Sequence, residues 1–282
     1  MTAPARAASV PGDAAEPRAR FRDLLAAEWI TFWSLRSTPA VLLLGAAVIV
    51  ATAVRNARDT LDHYVPGTGR PDTMRQVALD SSFSMVGADV VLLVAGGLGA
   101  LVLAGEYASG RIRTSLAAVP DRCALLLAKA LVLTGVLFAW AAAAVGTAFG
   151  VDQALLSDRG IGLSVADPGA LRFLAAAVLL AMVCALVGLA VGVLVRHSAA
   201  SVVGTILVLF FLPSLFTDTY RWTADVSHAL PFTAWRRLAT LSLAHARPSD
   251  HPATVAGSWT ALALWALASL LLAVLVIRRR DH

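Results

Sequence analysis

The segment AGEYASGRIRTSLAAVP, Ala104 to Pro120, sets Glu106, Arg111 and Arg113 within eight positions between two long apolar runs. Charges so spaced suit ionic docking to a partner, through charge-assisted hydrogen bonds, rather than bond-breaking chemistry. A second isolated charge, Glu28, stands in FRDLLAAEWITFWSLRSTP (residues 21–39), with Arg36 two turns further on. The middles of the apolar runs carry no charge; Asp89 and Lys129 each lie a few residues from a run's end, where a long side chain can snorkel to water.

Other chemistry finds little support. PGTGRPD (Pro66 to Asp72) lacks the GK[ST] ending that cradles a nucleotide phosphate. His228, His245 and His251 have no metal-ligand spacing. No Ser–His or Cys–His pairing suggests a nucleophile. Cys123 and Cys184 belong to different depths and are expected as free thiols. Neither a metal nor a cofactor is expected on this chain.

The elements that must position these charges follow from composition. The 282 residues are 58% hydrophobic and 15% charged, with mean hydropathy +0.74. A soluble domain is nearer 45–50% apolar and about 25% charged. Six blocks reach membrane-spanning length, at approximately 38–54, 84–104, 124–150, 171–195, 198–217 and 257–277. A hydrocarbon layer of ~30 Å takes about 20 helical residues, and its backbone must be internally paired, which requires helices here. The expected fold is all-α and polytopic, with six transmembrane helices from residue 21 to 282.

Residues 1–20 read as a disordered cytosolic tail with no cleavable signal. With both termini and the loops at 105–123 and 196–197 inside, the inner face carries thirteen basic and seven acidic residues. The outer face then carries ten and eleven. Basic excess marks the cytoplasmic side of a plasma-membrane protein. The basic balance is thereby a consequence of topology, and gives no reason to invoke nucleic acid.

At 100° per residue, Phe21, Leu24, Leu25, Trp29, Phe32 and Leu35 share one face of an amphipathic helix lying at the interface. Glu28 falls inside that face, which calls for a cationic partner: Arg36 or a basic residue of the first cytosolic loop. In the loop itself, Ile112, Leu116 and Val119 share a face, with Glu106 and Arg113 nearly opposite. Gly110 marks a bend before this short helix, Pro120 stops it, and Asp121 can cap the next span. Leu230 to Leu243 is too short and charged to span, and reads as a re-entrant or interfacial helix. GxxxG spacings at Gly146/Gly150 and Gly188/Gly192 permit close approach of helices within the bundle.

GEYASGRIRTSLAAVPDR, with AKALVL downstream, resembles the cytosolic loop of type-2 ABC exporter permeases, especially the actinobacterial kind. AEWITFWSLRSTP resembles that family's lead-in segment, and LVRHSAASVVGTILVLFFLP its junction between fourth and fifth spans. The resemblance implies a coupling helix that docks on a separate ATP-binding subunit, through Glu106, Tyr107, Arg111 and Arg113. It implies Glu28 and Arg36 as ties for the lead-in helix, and re-entrant helices before the last span. It also implies two permease copies, or homologous permeases, working with ATPases that hold the ATP and magnesium, so that this chain is no enzyme. The alternatives are an ion-coupled secondary carrier, against which the charge-free midplanes argue, and a non-transporting membrane anchor or assembly protein.

Overall fold

The computed structural model describes residues 20–65, 70–110, 122–216, 220–241 and 252–279. The expected tail, the segment holding Arg111 and Arg113 with its short helix, and the end of the Leu230–Leu243 stretch lie outside them, as do His245 and His251.

Among the described residues the chain is helical throughout, with no strand. The elements are α1 (Phe21–Ser34), α2 (Ser37–His63), α3 (Pro71–Ser82), α4 (Met85–Ser109), α5 (Arg122–Ser157), α6 (Ala170–Val195), α7 (Ser198–Ser214), α8 (Arg221–Ala229), α9 (Pro231–Ala239) and α10 (Val255–Arg279). Five helical stretches are long and apolar enough to cross a membrane: Ser37–His63, Pro71–Ala108, Arg122–Ser157, Ala170–Val195 and Val255–Arg279. The chain is a multi-span helical membrane protein.

The expected span at 198–217 is instead a shorter apolar helix, α7. It passes through a π-helical turn at Leu207–Phe211, carries Pro213 and leaves helical geometry after Ser214. A widened turn and a proline, which lacks an amide donor, both weaken continuation of an α-helix.

Helices also run further than the apolar blocks. The segments 55–83 and 151–170, which lie between apolar blocks, hold the end of α2, all of α3 and the last two turns of α5. Hydropathy marks what can meet lipid, whereas a helix ends where its caps are. Pro71 and Pro231 occupy first-turn positions that need no amide donor. Gly110, in the left-handed region at φ 71°, ends α4 with its amide on the Tyr107 carbonyl.

The fourth span, α6, is the axis of the bundle. Its span window is 67% buried, against 28% for α2 and α10, and it packs against α4, α5, α7, α9 and α10. Its approach to α4 is close enough to require glycine. A Cβ on Gly99 would run into the Ala185 carbonyl, one on Gly188 into the Gly96 carbonyl, and one on Gly192 would sit 2.6 Å from the Ala100 carbonyl. Gly188 and Gly192 therefore serve packing within the chain. Gly146 and Gly150 do not, since a Cβ there would meet nothing within 4 Å. Facing outward on α2 and α10, Leu43, Leu44, Leu264, Leu267 and Leu271 are exposed, as lipid-facing side chains should be.

Candidate functional site: a buried carboxylate–lysine cluster

At the end of the bundle where α1 lies, three helices bring charge together in the interior. On α1, Leu24, Glu28 and Phe32 follow at i, i+4 and i+8, which stacks them on the stripe facing α5. On α5, Leu125, Lys129 and Leu133 do the same, and all three are buried. On α4, Glu106 comes almost one turn after the buried Leu103. The Lys129 Nζ donates to Glu28 Oε2 at 2.6 Å and to Glu106 Oε1 at 2.7 Å. The lysine side chain is 3% exposed, that of Glu28 11% and that of Glu106 9%.

One ammonium thus bridges carboxylates from two other helices in a site that water hardly reaches. Desolvating these groups costs several kcal/mol per ion, which close, hydrogen-bonded geometry must offset. The arrangement is therefore strongly conditional: all three side chains must be present and placed. Chemically it is a clamp, with neither a nucleophile nor an open coordination position.

The sequence expectations at this end need correction. Lys129 does not snorkel to water; it is the centre of the cluster. Glu28 is tied to Lys129, whereas Arg36, exposed at the start of α2, makes no ion pair with it. Glu106 was expected on a solvent-facing surface and is instead buried, because α4 continues to Ser109 and carries that position inward. The apolar stripe of α1 also divides: Leu24 and Phe32 turn inward, while Phe21, Trp29 and Leu35 stay exposed beside Ile30 and Trp33. Tyr107 is half-buried, with the Arg196 guanidinium 4.7 Å above its ring. That cation–π contact joins the end of α4 to the α6–α7 junction, where Arg196 itself takes a left-handed conformation at φ 57°.

The far end also holds buried polar groups. Asp152 is fully buried; its Oδ2 accepts from the Ser81 hydroxyl at 3.0 Å and from Gln153 Nε2 at 2.9 Å. Gln153 also donates to the Ala78 carbonyl and accepts from the Leu163 amide, tying α3, α5 and the following loop together. Gln76 bonds to the Leu241 amide and the Ala239 carbonyl, which holds α3 against the end of α9. The signal available was continuation of the α5 helical register beyond Gly150, which puts Asp152 on the face of Val145 and Phe149. Among the described residues no group of His, Cys, Asp or Glu could hold a metal ion, and Cys123 and Cys184 are not joined in a disulfide.

Comparison of the chain with protein-family models finds no match, and comparison with curated proteins finds none either. Function must be argued from the residues themselves.

Proposed function

We propose that this chain is the membrane-spanning permease subunit of an ATP-driven exporter and works with a separate ATP-binding subunit. The observation that carries the reading is the Glu28–Lys129–Glu106 cluster. It binds the amphipathic α1 to the roots of α4 and α5, the two helices between which residues 111–121 run. Force applied to that connection would be passed directly to α1 and to both spans. A connector with no partner would need no such rigid mounting. The likeness of GEYASGRIRTSLAAVPDR to coupling segments of type-2 exporters supports the same reading.

In this proposal α7 serves as a short fifth span, making six, and the basic excess puts both termini and the 111–121 connection in the cytosol. Arg111 and Arg113 face the ATPase, with Tyr107 at the edge of that contact, and Glu106 braces the connection from behind. ATP and magnesium belong to the partner. A second copy, or a homologous permease, completes the path.

The test is co-purification with an ATP-binding-cassette protein from the same gene neighbourhood, comparing the parent with an Arg111→Glu/Arg113→Glu variant. Charge pairs desolvated at an interface cost about 2–5 kcal/mol when one partner is removed, so partner recovery and stimulated hydrolysis should both collapse. Equal recovery from the two proteins would refute the docking role.

One observation favours a second reading, an ion-coupled carrier. Asp152 is a wholly buried carboxylate with no basic partner among the described residues, the kind of group such carriers use. An Asp152→Asn variant that abolishes transport while folding normally would favour that carrier.

A further inference from the structure

Two guanidinium groups meet at the far end, with no carboxylate paired to either among the described residues. Arg172, in the first turn of α6, donates from Nη2 to the Thr240 carbonyl at 2.9 Å. Arg237, in the last turn of α9, donates from Nη1 to the same carbonyl oxygen at 3.2 Å and from Nε to the Ala253 carbonyl at 2.7 Å. Sharing one acceptor keeps the two donating nitrogens within about 6 Å of each other, close enough for like charges to repel appreciably. Neither side chain forms an ion pair among the described residues. Asp80, linked to this end through Gln76, accepts from that glutamine and pairs with neither arginine. Arg172 Nε is buried and has no hydrogen-bond partner.

The last carbonyls of α9 carry a partial negative charge, which suits one cation. They do not balance two. The remaining N–H groups form a doubly cationic donor set of the sort that takes an anion's oxygens in forked pairs. Its depth limits what that anion can be. Arg172 lies at the first turn of a span-length helix, and Ala253 lies two residues before another, α10. Span ends sit at the headgroup level of a bilayer, where basic side chains meet lipid phosphates.

We propose that Arg172 and Arg237 form a binding site for a phosphate group, supplied by the headgroup of an anionic phospholipid, at the junction of α6, α9 and α10. The bound phosphate relieves the repulsion and fastens α9 to the bundle. The site depends only on the chain's being a membrane protein, and stands whether or not an ATPase is the partner.

The full chain, reconstituted in phosphatidylcholine vesicles with or without phosphatidylglycerol, provides the test. Thermal unfolding is followed in both lipids, and lipid retained through purification is identified by native mass spectrometry. The parent should unfold at higher temperature with phosphatidylglycerol and retain it. Arg172→Gln and Arg237→Gln should each bind it roughly tenfold more weakly or worse, as expected for losing hydrogen bonds to a charged group. Arg236→Gln, at an exposed neighbour on the same helix, should bind like the parent. If a glutamine variant does not fold, the Arg172→Lys/Arg237→Lys protein, which keeps both charges, should retain phosphatidylglycerol above phosphatidylcholine. Indifference of the parent to phosphatidylglycerol, or equal retention by parent and glutamine variants, would overturn the site. Inorganic phosphate reproducing the whole effect in detergent would overturn the lipid as its source and assign the site to a soluble anion.

Discussion

Removing the amine of Lys129 should be among the most damaging single changes this chain can suffer. Lys129→Met preserves length and apolar bulk but leaves the Glu28 and Glu106 carboxylates facing a site whose central side chain is 3% exposed. Breaking a buried ion pair by deleting one partner typically costs about 3–5 kcal/mol, because the other charge stays desolvated. Two carboxylates lose the same donor here, at 2.6 and 2.7 Å, so the upper part of that range applies. Such a loss lowers an unfolding midpoint by on the order of 10 °C. Intrinsic tryptophan fluorescence during heating in detergent measures it, using the seven tryptophans of the chain. The decisive comparison is the triple variant Glu28→Gln/Lys129→Met/Glu106→Gln, in which all three charges of the cluster are removed together; it should recover most of the loss. A Lys129→Met protein within ~0.5 kcal/mol of the parent, the range of inert surface changes, would refute the buried clamp. So would a triple variant no better than the single one.

Three further outcomes follow from the geometry. Gly99→Ala should destabilise by at least the ~1–3 kcal/mol usual for overpacking, since its Cβ meets backbone, while Gly146→Ala should be nearly neutral; parallel unfolding curves compare them. Asp152→Ala should cost about 1–3 kcal/mol by leaving Ser81 and Gln153 with a lost acceptor, whereas Asp152→Asn, which can still accept from both, should cost much less in the same assay. Tyr107→Phe should retain the contact under Arg196 and Tyr107→Leu should lose ~0.5–2 kcal/mol, read as a difference between the two variants.

What was legible in the sequence is what depends on neighbours along the chain. Apolar runs of about 20 residues located the long helices, the spacing of Leu24, Phe32 and their neighbours located α1, and Gly110 marked the end of α4. What was not legible depends on which helices meet. Glu28 and Lys129 are 101 positions apart, and nothing local distinguishes a lysine that snorkels from one turned inward. Glu106 was misjudged for a related reason: charge density suggested a loop, although α4 had not yet ended. Asp152 is the counterpart at the other end: it stands just past an apolar block, and nothing in the local composition marks it as buried. In a helix that outruns its lipid-facing stretch, the residues beyond can still pack against their neighbours.

The choice of lysine at position 129 bears on how the clamp works. Of 23 basic residues, 22 are arginines, found mostly in the tail, the loops and the ends of helices. Arginine suits those places, being weakly hydrated, permanently charged and able to hold several acceptors in one plane. Between α1, α4 and α5 the requirement differs. The two acceptors come from two helices, and Leu24, Phe32, Leu103, Leu125 and Leu133, a turn away along those helices, are buried. An ammonium is small and rotates freely about its last bond, so its donors can address carboxylates in unrelated planes. A guanidinium would bring a larger planar group and five N–H donors into a volume offering few further acceptors, at the cost of leaving donors unpaired. The clamp is thus specific to a compact cation, and its geometry ties α1 to the roots of two spans more firmly than exposed ion pairs, worth ~0–1 kcal/mol, could do. In the proposed permease, α1 could not then separate from the roots of α4 and α5 without breaking a buried ion pair.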